Sequence, residues 1–376
     1  MTSSQFKTQL INNICPETEL LLLCICPEIN ECKTIRITLL TTKKIDWNYL
    51  LIIAEKHRLM PLLYRNLNNI CSQNIPKNII KYLRKSFLEN SKRNLILTNE
   101  LFKILNQLKE INIKAIPYKG TILANSIYGK LSLRQVYDLD LIIDKKDLIK
   151  TEKLLLSQGY YIKEKLDQEE SFFREEDQIE IDVHWELTPI YFPLKFDFNY
   201  FWKNTNNIDI NGKFFLNLSP ENLLFILCIQ IAKDCWERRQ KIEYLAKVCD
   251  IAQLIYTYPN LDWSQVLAQG KNQDAQRIIH FGLFLAKDLF DISLPLPILQ
   301  EVERDSVAIS LAYQVCADLF SKEDHEPSPI KNSFWDVKLR IRQLVFYLKL
   351  RKSIKYRISY FFEILKLVFS QKKLKS

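Results

Sequence analysis

Pro117-Tyr118-Lys119-Gly120-Thr121 and, shortly after it, Arg134-Gln135-Val136-Tyr137-Asp138-Leu139-Asp140-Leu141-Ile142-Ile143-Asp144 form the stretch from which the fold of this chain is read. The apolar run over residues 111–118 predicts a strand, and residues 122–128 read as a helix that starts directly after Lys119-Gly120-Thr121. A strand, tight turn and helix in that order aim backbone N–H groups and a helix dipole at an anion, and phosphate is the anion expected. Asp138 and Asp140 open a second apolar run. At the two-residue period of a strand both carboxylates face one way while Leu139 and Leu141 face the other. Two acids on one face suit a hard divalent cation. Further on, Ile179-Glu180-Ile181-Asp182-Val183-His184-Trp185-Glu186 alternates without a break, which puts Glu180, Asp182, His184 and Glu186 on one face. That strand can bring a third carboxylate to the first two.

Outward from this stretch the pattern changes. Residues 1–95 read as helices, with long apolar-periodic segments at 48–67 and 79–97 and Asp46 as an N-cap. One more helix, 97–110, leads into the first strand. After the acid-bearing strand at 138–143 come a helix at 147–158 closed by Gly159, then strands at 160–164, 171–174 and 179–186. The expected core is therefore α/β with a mixed sheet. Residues 188–218, crowded with prolines and aromatics, read as an irregular connection that walls a cleft. Ser219-Pro220-Glu221 then announces a helix, with Ser at the N-cap and Pro in the first turn. Helices follow to about residue 288, broken at Tyr258-Pro259-Asn260. The organisation expected is a helical region at 1–95, an α/β core at 96–217, a helical domain at 218–330 and a basic, aromatic helical tail at 331–376. With no repeat, low-complexity tract or Gly/Ser linker, the parts are expected to pack closely.

Lys119-Gly120-Thr121, Arg134 four positions before Asp138-Leu139-Asp140, and Asp182-Val183-His184-Trp185 resemble the uncharacterised nucleotidyltransferase family of the DNA polymerase beta-like superfamily. The resemblance spans roughly residues 47–297, taking in the helical segment from Trp47 to Leu67 and the helices at 218–255. Two departures stand out: the superfamily's usual Gly-Ser is Lys119-Gly120 here, and two histidines of the later helix are Gln230 and Asp234. The resemblance implies an α+β fold, a polymerase-beta-like nucleotidyltransferase core with N-terminal and C-terminal helical flanks. It implies transfer of an NMP from an NTP to a hydroxyl-type acceptor, a small molecule, protein or RNA, with release of pyrophosphate and two metal ions in line. Mg2+ or Mn2+ would be held by Asp138, Asp140 and Asp182, with Asp182 also orienting or deprotonating the acceptor. Lys119, Gly120, Thr121 and Arg134 would bind nucleotide phosphates, Arg134 as a bidentate fork. Lys233, Trp236, Arg238 and Asp250 recur in the family pattern and would line the acceptor pocket.

Each assignment has a plainer alternative. Lys119 also reads as a solvated loop lysine. Glu180, the reserve third acid, and Glu186 read as solvent-facing or supporting carboxylates. His184 supports the metal acids or sits in the core beside Trp185, and Lys233 and Trp236 read equally as a surface ion pair and a core tryptophan. The chain carries no Gly-x-x-x-x-Gly-Lys-Ser/Thr, Gly-x-Gly-x-x-Gly or Gly-x-Ser-x-Gly, so P-loop, dinucleotide and hydrolase chemistries lack their residues. A competing reading is a non-catalytic nucleotide-binding or interaction protein that keeps the fold, as a toxin–antitoxin or biosynthetic-cluster partner.

At 376 residues, 47% hydrophobic and 26% charged, the chain reads as globular. Its nine cysteines are odd in number and include no Cys-x-x-Cys, so a reduced, cytoplasmic protein is expected. No leader pattern opens it, and the apolar run at 20–26 is too short to span a bilayer. The net charge of +9 is uneven, because residues 331–376 hold thirteen Lys/Arg against Asp336 and Glu363. Nucleic acid is therefore compatible with the charge pattern but not required by it. In the tail, Val337, Ile341, Leu344 and Leu348 form one helical stripe and Leu339, Phe346 and Leu350 another. Two stripes predict two packing partners, one the second half of the tail or another subunit, with basic side chains left for an acidic ligand. Membrane attachment is the less favoured expectation.

Overall fold

A computed structural model describes residues 14–190, 192, 194, 198–210, 212–237, 241–316, 337–358 and 360–362. Four helices open it: α1 (Pro16–Cys24), α2 (Glu31–Thr41), α3 (Trp47–Lys56) and α4 (Met60–Cys71). Asp46 caps α3 as expected, its carboxylate accepting the Tyr49 N–H at 3.0 Å. Then α5 (Lys77–Glu110) runs for 34 residues without a break. The sequence reading divided it near residue 95; the structure does not, because no Gly or Pro interrupts it. Its early residues Ile79 and Leu83 pack in the helical core, and its later residues from Leu97 to Leu108 lie against the sheet.

The sheet is built from β1 (Ala115–Pro117), β2 (Asp138–Ile143), β3 (Tyr161–Lys165), β4 (Glu169–Arg174) and β5 (Ile179–His184), with α6 (Gly120–Ser126) after β1 and α7 (Leu148–Ser157) after β2. Strand order is β1-β2-β5-β4-β3. β2 and β5 are parallel neighbours and the other pairs are antiparallel, so the sheet is mixed. Leu139, Leu141, Ile143, Ile179, Ile181 and Val183 pack on α5 in one apolar cluster. Their alternates along β2 and β5 face the other way.

The connection expected to be irregular contains ordered structure: α8 (Phe198–Lys203) and an antiparallel hairpin of β6 (Thr205–Ile210) and β7 (Lys213–Leu218). Its signal was the Asn-Gly pair at positions 211 and 212, which favours a tight hairpin turn. Phe215 of β7 stacks on Phe102 of α5, ring centroids 4.8 Å apart, so the hairpin extends the cover over the sheet core.

The remaining helices are α9 (Pro220–Glu237), α10 (Leu245–Thr257), α11 (Trp263–Asn272), α12 (Gln276–Phe290), α13 (Leu296–Arg304), α14 (Ser306–Cys316) and α15 (Val337–Leu350). Ser219 caps α9 through its hydroxyl, which accepts the Asn222 N–H at 3.3 Å. Of the two tail stripes, Phe346 and Leu350 are buried, together with Tyr347 and Gln343, and Leu344 and Leu348 of the other stripe are partly buried against the same core, whereas Ile341 is 54% exposed. Gln343 donates to the Trp236 carbonyl at 3.3 Å, and Tyr347 stacks on Tyr360 at 3.7 Å. One principal face therefore docks on the helical domain. Arg351, expected to await an acidic ligand, is buried and donates to the carbonyls of Gln273 and Asp274 beyond α11. Arg238 and residues 331–336 and 363–376, which hold Trp335 and Phe369, lie outside the described residues. The nine cysteines form no disulfide, and no described helix is long and apolar enough to cross a membrane.

Candidate active site

The parallel register of β2 and β5 decides the site. Asp138 lies opposite Glu180, Asp140 opposite Asp182 and Ile142 opposite His184. Because the odd-numbered neighbours are anchored in the core under the sheet, the acids all emerge on the opposite face. Ligand atoms of Asp140, Asp182 and His184 lie within 4.8 Å of one another. Glu180 leaves this group, since both its oxygens take Lys163 at 2.7 Å.

β4 adds a residue the sequence reading missed. Its register sets Ser171 opposite Asp182 and Glu169 opposite His184. Glu169 Oε2 lies 2.7 Å from His184 Nδ1, and His184 Nε2 lies 3.1 Å from Asp140 Oδ1. The signal was weak but present: Glu169, Ser171 and Phe173 share the phase of one strand face. Lys119, at the end of the first strand and turn, donates to the same Asp140 oxygen at 2.9 Å. The His184 ring also meets the Tyr118 ring edge-on at 5.4 Å.

Crowding sets the charge states. Burial alone would raise the Asp140 carboxyl, but Lys119 and His184 hold it well below the usual range. On Asp182 burial, with Asp140 adding to it, outweighs the opposing His184 charge and a Ser171 hydrogen bond and pushes the carboxyl up to about 7. Burial and then Asp140 also raise Asp138, with Lys119, Arg134 and Arg58 opposing. His184 is raised, its burial overcome by hydrogen bonds to Asp140 and Glu169. One oxygen of Asp182, Oδ1, is buried without a hydrogen bond among the described residues. Acids that repel each other around an unpaired oxygen are what a divalent cation would relieve, so these residues fit such an ion.

At the turn, Gly120 adopts φ +58°, and a Cβ there would sit 3.0 Å from the Asp138 carbonyl. Glycine lets the turn press against the acid strand. The Thr121 hydroxyl is buried and has no hydrogen bond among the described residues. Arg134 is placed differently from a phosphate fork. Its Nε and Nη2 hold both oxygens of Asp250 on α10 at 2.9–3.2 Å, and Nη1 reaches the Gly120 carbonyl at 3.4 Å. Tyr128 also donates to Asp250, at 2.8 Å. Asp250 is thus the buried counter-ion of Arg134 rather than a residue facing an open pocket. Trp236 is buried and packs edge-on against Phe192. Lys233 is half-buried on α9, its charge acting on Glu169 and Glu237. At the positions of the two replaced histidines, Gln230 donates to the Leu187 carbonyl and Asp234 pairs with Lys247, which Glu243 also holds at 2.8 Å.

A profile described as an uncharacterised nucleotidyltransferase matches residues 43–291. No curated protein matches the chain significantly. Among solved structures, the antibiotic-resistance factor ANT(2'')-Ia, studied in solution, is 14% identical, with 48% of this chain and 91% of that chain covered and a TM-score of 0.35. An antigenic nucleotidyltransferase-like protein from Paracoccidioides brasiliensis is 16% identical, with 56% and 98% covered and a TM-score of 0.33. Likeness at these scores says nothing about substrate.

Proposed function

Because this chain belongs to the uncharacterised nucleotidyltransferase family, and is a transferase on that ground, we propose that it moves an NMP from an NTP to a hydroxyl-type acceptor on a small molecule, protein or RNA. The observation that carries this reading is the register that sets Asp140 beside Asp182, with Asp138 two residues earlier on the same face. In this reading the acceptor oxygen attacks the α-phosphorus, the bond to pyrophosphate breaks, and the acceptor's proton passes to the Asp182 side of the site. Asp138, Asp140 and Asp182 would hold Mg2+ or Mn2+, which when bound neutralises charge on the attacking and leaving oxygens. Lys119 supplies a fixed positive charge at Asp140, and the Lys119-Gly120-Thr121 turn lies against the acid strand where phosphates would enter. Glu169 orients His184, which in turn steadies Asp140. Arg134 acts through structure, fastening the turn's Gly120 carbonyl to the helical domain.

A second reading, nucleotide binding without transfer, draws on the Lys119–Asp140 ion pair, which already neutralises one acid. Incubation with each of the four α-labelled NTPs and Mg2+, with and without cell extract, separates the two. Label transferred by the wild type and lost in a folded Asp140→Asn variant is the expected result. Transfer that survives in that variant refutes the mechanism, and binding of labelled NTP with no transfer supports the second reading.

A further inference from the structure

Arg58, between α3 and α4, has a left-handed backbone at φ +60°. For a long, non-glycine side chain this conformation costs about 1–2 kcal/mol and persists only where the surroundings impose it. Three parts of the molecule do so. The His57 carbonyl accepts the Ala246 N–H at 3.3 Å, the His57 ring accepts the Leu245 N–H at 3.3 Å, and the Met60 N–H is taken by the Gln135 side chain at 3.3 Å. The N-terminal helices, the segment before β2 and the start of α10 thus meet at one corner.

The result is an arginine whose charge lies over two tyrosine rings. Its guanidinium carbon lies 4.2 Å from the centroid of the Tyr137 ring and 3.7 Å from that of Tyr244. Tyr137 immediately precedes Asp138, and the Arg58 charge acts on the Asp138 carboxyl. Stacking uses the faces of the guanidinium and leaves its N–H donors in the plane. Among the described residues those donors make no hydrogen bond or ion pair; only the Arg58 backbone N–H does, to the Glu55 carbonyl at 2.9 Å. The contrast with Arg134 is direct, because Arg134 is fully engaged by Asp250.

We propose that Arg58, stacked between Tyr137 and Tyr244, is the guanidinium that receives the distal phosphates of the nucleotide and holds the pyrophosphate that leaves. This rests on the nucleotidyltransferase reading and names one subsite of it. A rigid planar fork beside the acids matches two oxygens of a phosphate, and its fixation before binding lowers the ordering cost. Arg58 touches only the leaving group, so it positions and binds rather than transferring a proton.

The test uses the full chain with Mg2+ and measures affinity for inorganic pyrophosphate and tripolyphosphate by calorimetry. Arg58→Gly suits the left-handed backbone and removes the fork. Affinity for both probes should fall about 10- to 100-fold, while affinity for a nucleoside monophosphate, which lacks the distal phosphates, stays unchanged. Tyr244→Leu, which removes one stacking face, should weaken pyrophosphate binding less. Wild-type affinity for pyrophosphate in a folded Arg58→Gly overturns the subsite, as does an equal loss for the monophosphate. Should Arg58→Gly not fold, Tyr244→Leu decides, and wild-type affinity there overturns it. The labelled-NTP assay keeps the two claims apart: transfer by the wild type with unaltered pyrophosphate binding in the variants sinks the subsite alone, whereas a wild type that neither transfers label nor binds either probe sinks both.

Discussion

Asp250→Asn should destabilise the protein far more than a surface charge would. Asp250 is 1% exposed and accepts three hydrogen bonds from Arg134 and one from Tyr128. The substitution keeps side-chain volume, so no cavity opens. It removes the carboxylate and turns an amide N–H group toward a guanidinium, leaving a buried cation without its counter-ion. Breaking such a pair costs about 3–5 kcal/mol, a large part of the roughly 5–15 kcal/mol that holds a protein folded. With a urea dependence of about 3 kcal/mol per molar, the unfolding midpoint drops by about 1–1.7 M. Urea titration followed by circular dichroism reads this directly. The triple variant Arg134→Met, Asp250→Leu and Tyr128→Phe removes both charges and the hydroxyl that Asp250 accepts from, and it should recover most of the loss, because an apolar group of similar volume carries no desolvation penalty. A loss below about 1 kcal/mol in Asp250→Asn refutes the assignment of Arg134 and Asp250 as a structural tie.

Three further outcomes follow from the same geometry. Gly120→Ala, forced into a left-handed backbone with its Cβ 3.0 Å from the Asp138 carbonyl, should cost about 1–2 kcal/mol and weaken Mn2+ binding measured by titration; unchanged stability and affinity would remove the close approach from the account. Phe346→Ala should cost about 3–5 kcal/mol in urea unfolding, because that ring is buried against the helical domain, and a loss under about 1 kcal/mol would make α15 a loosely attached segment. Asp305 is held below the usual carboxylate range, its burial outweighed by His280 and Arg277. A depressed folded value means that its stabilisation is present above the unfolded carboxyl value of about 3.9 and is lost as pH falls through the folded one. The stability gap between wild type and Asp305→Asn should therefore be full at neutral pH and close below about pH 4, and a gap that widens with acid would contradict the sign.

Where local spacing determines which face a side chain takes, the sequence was readable. The alternation around Asp138-Leu139-Asp140 and Glu180 to His184 is a period-two property of the chain itself, and the register confirms that Asp138, Asp140, Asp182 and His184 share a face. Asp46 and Ser219 were legible for the same reason, since a cap acts within three residues. Partners far apart were not. Nothing near Arg134 reveals that its counter-ion lies 116 residues onward, and so its fork read as open to phosphate. Glu169 depends on the antiparallel register of β4 on β5, which periodicity cannot supply. Arg58 is recognisable only through its backbone and two rings from distant segments. The hairpin of β6 and β7 was missed differently: an Asn-Gly signal was present, but the surrounding prolines and aromatics obscured it.

The segment between α6 and β2 has little secondary structure of its own to fasten it, beyond a single short turn at Leu131–Leu133. Asn90 and Asn94 of α5 hold it by side-chain amides, Asn90 donating to the Ser132 and Arg134 carbonyls at 3.0 and 3.2 Å and Asn94 to the Arg134 carbonyl at 2.7 Å. These contacts join residues 40 to 44 positions apart. Their consequence concerns the order of assembly. A long helix forms from local contacts and needs no loop closed first, whereas these amide bonds wait until the helix stands as a template. The order expected is α5 first and the segment that delivers Asp138 afterwards, with high φ-values for substitutions in α5 and low ones for Asn90 and Asn94 as its measurable mark.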